Sequence, residues 1–206
     1  MGVVCADYDD DDDTDIIVGN DAMGNFVWKN DGSGHFEEVG LRSGLAYDRD
    51  GIGLETMGVE CGDHNNDGLL DFYMTSYQKQ WAILSRSVGR GMFEDVTHVT
   101  GAGTGTFNQV SWGASLVDFD NDGDRDLFIA CGHLQDNVKL WDDTTSYEQR
   151  NFLLENTGHG KFVDVSARSG DGLALKRSSR GSIICGLAGM PGPNRSADSC
   201  ADSSWP

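Results

Sequence analysis

Basic residues are scarce in this chain. Of 206 residues, 15 are Lys or Arg against 34 Asp or Glu, a formal charge of −19. A surface this acidic repels nucleic acid and anionic lipid headgroups, which excludes both as partners on electrostatic grounds. No run approaches the ~18 apolar residues that a membrane-spanning helix requires, so membrane insertion is not expected. Apolar positions lack a 3.6-residue recurrence, and a helical solenoid is excluded with it. The five cysteines contain no CxxC pair, which leaves no cysteine-type metal site. Cys5 and Cys61 each stand two residues before an acidic loop, where the third repeat is apolar, with Leu116 and Val117 leading into its loop. That equivalence predicts core side chains rather than disulfide partners. No RGD tripeptide occurs, and no basic, apolar leader opens the chain.

Against these absences stands nearly one pattern written three times, DxDxDGxxD: Asp7 to Asp15, Asp63 to Asp71 and Asp118 to Asp126. The loops begin 56 and 55 residues apart and hold 7, 3 and 5 of the acidic residues. Carboxylates crowded at alternate positions repel one another and favour disordered chain unless a cation holds them. Three divalent ions would bring the charge from −19 to −13. With 38% hydrophobic residues in short clusters the chain is expected to be globular, and 28 glycines signal many tight turns.

Aligned on the loops, each unit reads in one order. An apolar run (Val3-Val4-Cys5, Val59-Glu60-Cys61, Ser115-Leu116-Val117) precedes the loop, and a second run (Ile16-Ile17-Val18, Phe72-Tyr73-Met74, Leu127-Phe128-Ile129) follows it. A third run comes later: Phe26-Val27-Trp28, Trp81 to Leu84, Phe152-Leu153-Leu154. It leads into a GxGxF turn at Gly32, Gly89 and Gly158, followed by Val39, Val96 or Val165. Runs that are short, β-branched or aromatic and bounded by turn residues are strands, and Phe and Val three apart open a fourth. Four strands in about 55 residues is the arithmetic of a β-propeller blade. The fold is therefore predicted all-β, a partial β-propeller with units at 1–56, 57–111 and 112–179 and the start of a fourth at 180–185. The chain opens inside a repeat, which reads as a fragment whose remaining blades lie elsewhere. The Pro, Gly and Ser-rich stretch 186–206 matches no other part and is expected to be disordered.

Calcium takes six to eight hard oxygen ligands, which a tight loop offers through side chains at positions 1, 3, 5 and 9 and a carbonyl at 7. The predicted ligands are Asp118, Asp120, Asp122, the carbonyl of Asp124, and Asp126 in the third loop. In the second they are Asp63, Asn65, Asp67, the carbonyl of Leu69, and Asp71. In the first they are Asp7, Asp9, Asp11, the carbonyl of Asp13, and Asp15. There Asp12 replaces the turn glycine, so that site is strained. An EF-hand needs Glu at position 12 and flanking helices. Position 12 is Val18, Met74 and Ile129, inside predicted strands, and that reading fails. Magnesium wants fewer protein ligands, and zinc wants His or Cys. Up to three Ca2+ ions are thus expected in a structural role.

These residues resemble the FG-GAP or VCBS-type repeats of integrin-alpha-like β-propellers, most of all those paired with an ASPIC/UnbV segment. The resemblance is carried by WGASLVDFDNDGDRDLFIA, by the NxGxGxFxDV block at Asn156 to Val165, and by Gly132-His133. It implies an extracellular, periplasmic or cell-surface adhesion or scaffold propeller, with calcium in blade hairpins and usually seven blades. The ligand would be a protein or a glycan that the motifs do not specify. An alternative is a module of a secreted carbohydrate-active enzyme, with His133, Asp136, Trp141, Asp142, Asp143 and Tyr147 of the longer third connection supplying acid, base and a stacking ring. No two of them have a spacing that chemistry requires, so a non-catalytic module is preferred. His35, His64, His98 and His159 are expected to be exposed.

Overall fold

Each acidic loop joins the first two strands of an antiparallel meander. A computed structural model of the chain describes residues 1–183. The predicted tail at 186–206 lies outside the described residues, as does part of the fourth unit at 180–185. The first sheet runs β1 (Val3–Ala6), β2 (Asp15–Val18), β3 (Phe26–Asn30), β4 (Phe36–Glu38) in spatial order. The second runs β5 (Val59–Gly62), β6 (Asp71–Met74), β7 (Ile83–Ser87), β8 (Phe93–Asp95). In the third, β9 (Ser111–Val117) and β10 (Asp126–Cys131) precede a short β11 (Gln149–Arg150), and the sheet is completed by β12 (Phe152–Asn156) and β13 (Phe162–Asp164). β11 pairs instead with β14 (Lys176–Arg177). Register repeats as well: Ile17 faces Val27, Tyr73 faces Leu84 and Phe128 faces Leu153. The chain is all-β, a partial β-propeller of three four-stranded sheets, with β1 packed on β5 and β5 on β9.

Side-chain alternation explains how the sheets stack. Successive residues of a strand point to opposite faces. Ile17 therefore joins Phe72, Met74 and Phe93 in a core between the first and second sheets. Tyr73, one residue on from Phe72, points the other way and joins Leu84, Leu116, Leu127 and Ile129 between the second and third. All four residues of β6 are buried, whereas β2 is buried only at alternate positions. A strand covered on both faces must be apolar throughout, which is why the sequence reads Phe72-Tyr73-Met74 there.

The glycines before each first strand are set by backbone contact. A Cβ on Gly2 would lie 2.6 Å from Val59 N, one on Gly58 2.0 Å from the Trp112 carbonyl oxygen, and one on Gly113 2.7 Å from Ser182 N. Neighbouring first strands thus approach too closely for any side chain, and residues 181–182 take up against β9 the place that the equivalent residues of earlier units hold.

Four expectations are corrected. Cys5 is exposed, because its side of β1 faces away from β5, although Cys61 does pack against the first core. The third strand of the second unit begins at Ile83, and Trp81 stands outside it, 39% exposed, against Phe107 and His98 with ring centroids 5.0 and 5.3 Å apart. Val39, Val96 and Val165 do not continue the fourth strands but cap short helical turns, α1 (Gly40–Ser43), α2 (Thr97–Thr100) and a 3-10 turn at Ser166–Arg168. His64 is buried, 2% exposed, while His35, His98 and His159 are exposed as expected.

Candidate metal centre

The three loops are wound by the same hydrogen bonds. The carboxylate at position 1 accepts two N–H groups from positions 5 and 6: Asp7 from Asp11 and Asp12 (3.0 and 2.9 Å), Asp63 from Asp67 and Gly68 (3.2 and 2.8 Å), Asp118 from Asp122 and Gly123 (3.1 and 3.1 Å). The position-5 carboxylates of Asp11, Asp67 and Asp122 accept the N–H of Asp13, Leu69 and Asp124, the position-7 residues. Winding so tightly takes left-handed backbone twice per loop. Asp12 has φ +70° where Gly68 and Gly123 have +87° and +98°, so it adopts the strained conformation expected of it. Position 4 is left-handed too, at Asp10, Asn66 and Asn121. Sequence reasoning missed this, although Asn at two of the three places was its signal.

Position 9 anchors each loop to its sheet. Asp15, Asp71 and Asp126 are buried. One oxygen of each accepts the position-2 N–H, from Tyr8 (3.2 Å), His64 (3.0 Å) and Phe119 (2.9 Å). The other accepts an N–H from the end of the third strand, at Asn30 (2.7 Å), Ser87 (2.8 Å) and Asn156 (2.8 Å). Burial pushes the carboxyls of Asp15 and Asp126 up despite these bonds. The ring of His64 adds a third donor to Asp71, Nδ1 lying 2.5 Å from Oδ2. Position 2 also links sheets: Tyr8 stacks on Phe93 and His64 on Phe162, each the Phe of the next unit's GxGxF turn.

The predicted ligands are gathered unequally. Oxygens of Asp7, Asp9, Asp11 and Asp15 lie within 4.8 Å of one another, as do those of Asp118, Asp120 and Asp126. Asp122 is not among that second group. Among the described residues, Asp63, Asp67 and Asp71 form no such group, and the Asn65 amide donates to Asp67 at 2.9 Å. The donor atoms are carboxylate oxygens with no His or Cys in either group, which fits a hard cation rather than zinc. Repulsion leaves a mark on this charge density: burial and the neighbouring Asp122 hold the Asp120 carboxyl above its ordinary range.

One participant was not foreseen. Lys29, from β3, reaches into the first loop and bonds Asp9 and, at 2.7 Å, Asp11. The bond holds the Asp11 carboxyl below its usual range. Oδ1 of Asp9 stays buried with no hydrogen-bond partner.

The residues named for acid–base chemistry in the longer connection of the third unit stand in different surroundings. His133 is buried, its Nδ1 accepting the Gln135 N–H at 3.0 Å and its Nε2 3.3 Å from the Tyr77 hydroxyl. Asp142 is paired with Lys79 at 2.8 Å, which holds its carboxyl well below the carboxylate range. Asp136, Asp143, Trp141 and Tyr147 are exposed. No helix of the described residues is long and apolar enough to cross a membrane.

Residues 7–74 and 63–129 each match the FG-GAP-like repeat. The match is to the repeat itself and carries no ASPIC/UnbV segment. No curated protein matches the chain. Among solved structures the chain is similar to a lectin from Agrocybe aegerita, a protein described for specific recognition of non-reducing terminal N-acetylglucosamine. The two share 19% identity with a TM-score of 0.41, over 78% of this chain. The aligned part spans 36% of that lectin's length.

Proposed function

The chain belongs to the FG-GAP-like repeat family, and on that premise we propose that it is a calcium-stabilised β-propeller module with a binding, adhesion or scaffold role outside the cell. The observation that carries the calcium reading is the convergence of carboxylate oxygens in the first and third loops, on a backbone already wound by their own hydrogen bonds. Asp118, Asp120 and Asp126 would hold the ion in the third loop, with Asp122 and the Asp124 carbonyl drawn in. Asp63, Asn65, Asp67, Asp71 and the Leu69 carbonyl would do so in the second, once the Asn65 amide turns its oxygen inward. Asp7, Asp9, Asp11, Asp15 and the Asp13 carbonyl form the first site. The ion cancels repulsion among carboxylates between the first two strands of a blade, and so makes each hairpin a rigid unit. Blade units at 1–56, 57–111 and 112–179 follow from the repeat. Catalysis is not assigned: among the described residues of the longer third connection, His133 and Asp142 are engaged by other groups, and Asp136, Asp143 and Tyr147 are exposed.

A ligand that binds only the folded state stabilises it by about 2.7 kcal/mol at a hundredfold excess over Kd. For a chain of this size that raises Tm by about 5–10 °C. Calcium is expected to give this gain in a thermal melt, and chelator to reverse it. Asp120→Asn separates the ligand role from a structural one. It should melt at or slightly above the wild-type temperature in chelator, because a repelling charge is gone, and should lose about a third or more of the calcium gain. A melting curve indifferent to calcium refutes the reading.

A further inference from the structure

Lys29 holds a register position whose equivalents are Arg86 in the second unit and Glu155 in the third. Arg86 pairs across the strands with Glu94, its register partner. Lys29 has a glutamate in the same relation, Glu37, yet leaves it to Arg42 at 3.6 Å and turns into the first acidic loop. There its ammonium bonds Asp9 and Asp11, two of the four carboxylates gathered in that loop. The residues at the equivalent positions turn elsewhere, Arg86 to Glu94 and Glu155 to Arg168. The first loop also holds the most charge, seven carboxylates against three and five, so it is the one most in want of a resident cation.

We infer that Lys29 is a built-in competitor for the first calcium site: its ammonium neutralises Asp9 and Asp11 when calcium is low and must swing out before the ion enters. The inference rests on the calcium reading above and deepens it, because it makes the three sites unequal. A tethered ammonium is present at every calcium concentration. It also carries one charge and three donors where calcium carries two charges and accepts six to eight oxygens, so it leaves part of the cage unserved. The buried, unpartnered Asp9 Oδ1 is that unserved part. A lysine seated nine-tenths of the time weakens calcium about tenfold, since apparent affinity falls by the fraction of competent sites. The first loop therefore fills last, and the module stiffens in two stages as calcium rises.

The test uses the full chain, calcium chloride and an amine-acetylating reagent, with Lys29→Met and Lys29→Arg as variants. Calorimetric titration of the wild type should resolve a weaker calcium class. In Lys29→Met that class should tighten about tenfold, while Lys29→Arg, which keeps a cation in place, should behave as the wild type. Acetylation of Lys29, read by mass spectrometry, should be slow without calcium and rise only in the concentration range where the weak class fills. Circular dichroism at each calcium level confirms that every variant is folded. Calcium binding whose affinities are the same in wild type and Lys29→Met, or Lys29 acetylation that is constant across the titration, overturns the inference and leaves the calcium reading standing. No calcium binding by any of the three proteins overturns both.

Discussion

Gly58→Ala is expected to be the most damaging single-methyl change among the described glycines. The added Cβ would lie 2.0 Å from the Trp112 carbonyl oxygen, a backbone atom of the neighbouring first strand that cannot rotate away. Relief would also disturb the Thr75 hydroxyl, which accepts the Gly58 N–H at 2.7 Å and donates to the same Trp112 carbonyl at 2.8 Å. The second and third sheets must therefore part at their inner edge, which uncovers the core of Tyr73, Leu116 and Leu127. A loss of about 3–5 kcal/mol is expected, on the scale of overpacking plus a broken buried network. Total stability for a domain is about 5–15 kcal/mol, so this variant melts far below the wild type or does not fold. Gly34→Ala is the comparison: its φ is +85° but its Cβ meets open space, and it should cost only about 1–2 kcal/mol. Equal urea midpoints for the two variants would show that the inner-edge contact does not hold the sheets together.

The second large effect concerns Asp71. It is fully buried and accepts three donors, the His64 N–H, the His64 ring and the Ser87 N–H. Asp71→Ala strands those donors in the interior, at about 1–3 kcal/mol for each unsatisfied group. The expected loss is about 3–5 kcal/mol. Since the bonds do not involve calcium, most of this loss should persist in chelator, unlike the effect of Asp120→Asn. Asp71→Asn retains an acceptor for one N–H and should fall between wild type and alanine. If Asp71→Ala is harmful only when calcium is present, the residue acts as a ligand and the hydrogen-bonded tie is worth little.

The contrast between those aspartates marks the limit of what the sequence discloses. The blade order was legible because each cause lies within a few residues: alternating apolar runs make strands, paired glycines make the GxGxF turns, and the nine-residue pattern places a hairpin between first and second strands. The Asp12 conformation was legible for the same reason, as its partner Asp7 is five residues away. What stayed hidden depends on contacts between distant parts. Lys29 enters a loop 18 and 20 residues upstream, and nothing in the pattern around it differs from Arg86, which turns elsewhere. His64 reads as an exposed loop residue until the Phe162 turn of the next unit lies over it. Cys5 reads as core by analogy with Cys61, yet Cys61 packs on the core shared with the first sheet, whereas on β1 it is Val4 that faces that core and Cys5 on the opposite face is exposed. Position 9 was assigned as a ligand from the loop alone, and its tie to the third strand, 15 to 30 residues on, became visible only with the fold.

The most direct test of the account is where calcium scatters. Crystals of the protein grown in calcium chloride and measured at a long X-ray wavelength should show an anomalous peak enclosed by Asp118, Asp120 and Asp126, and a second in the loop of Asp63 and Asp67. Maps of well-ordered loops with no anomalous density at either place would contradict it.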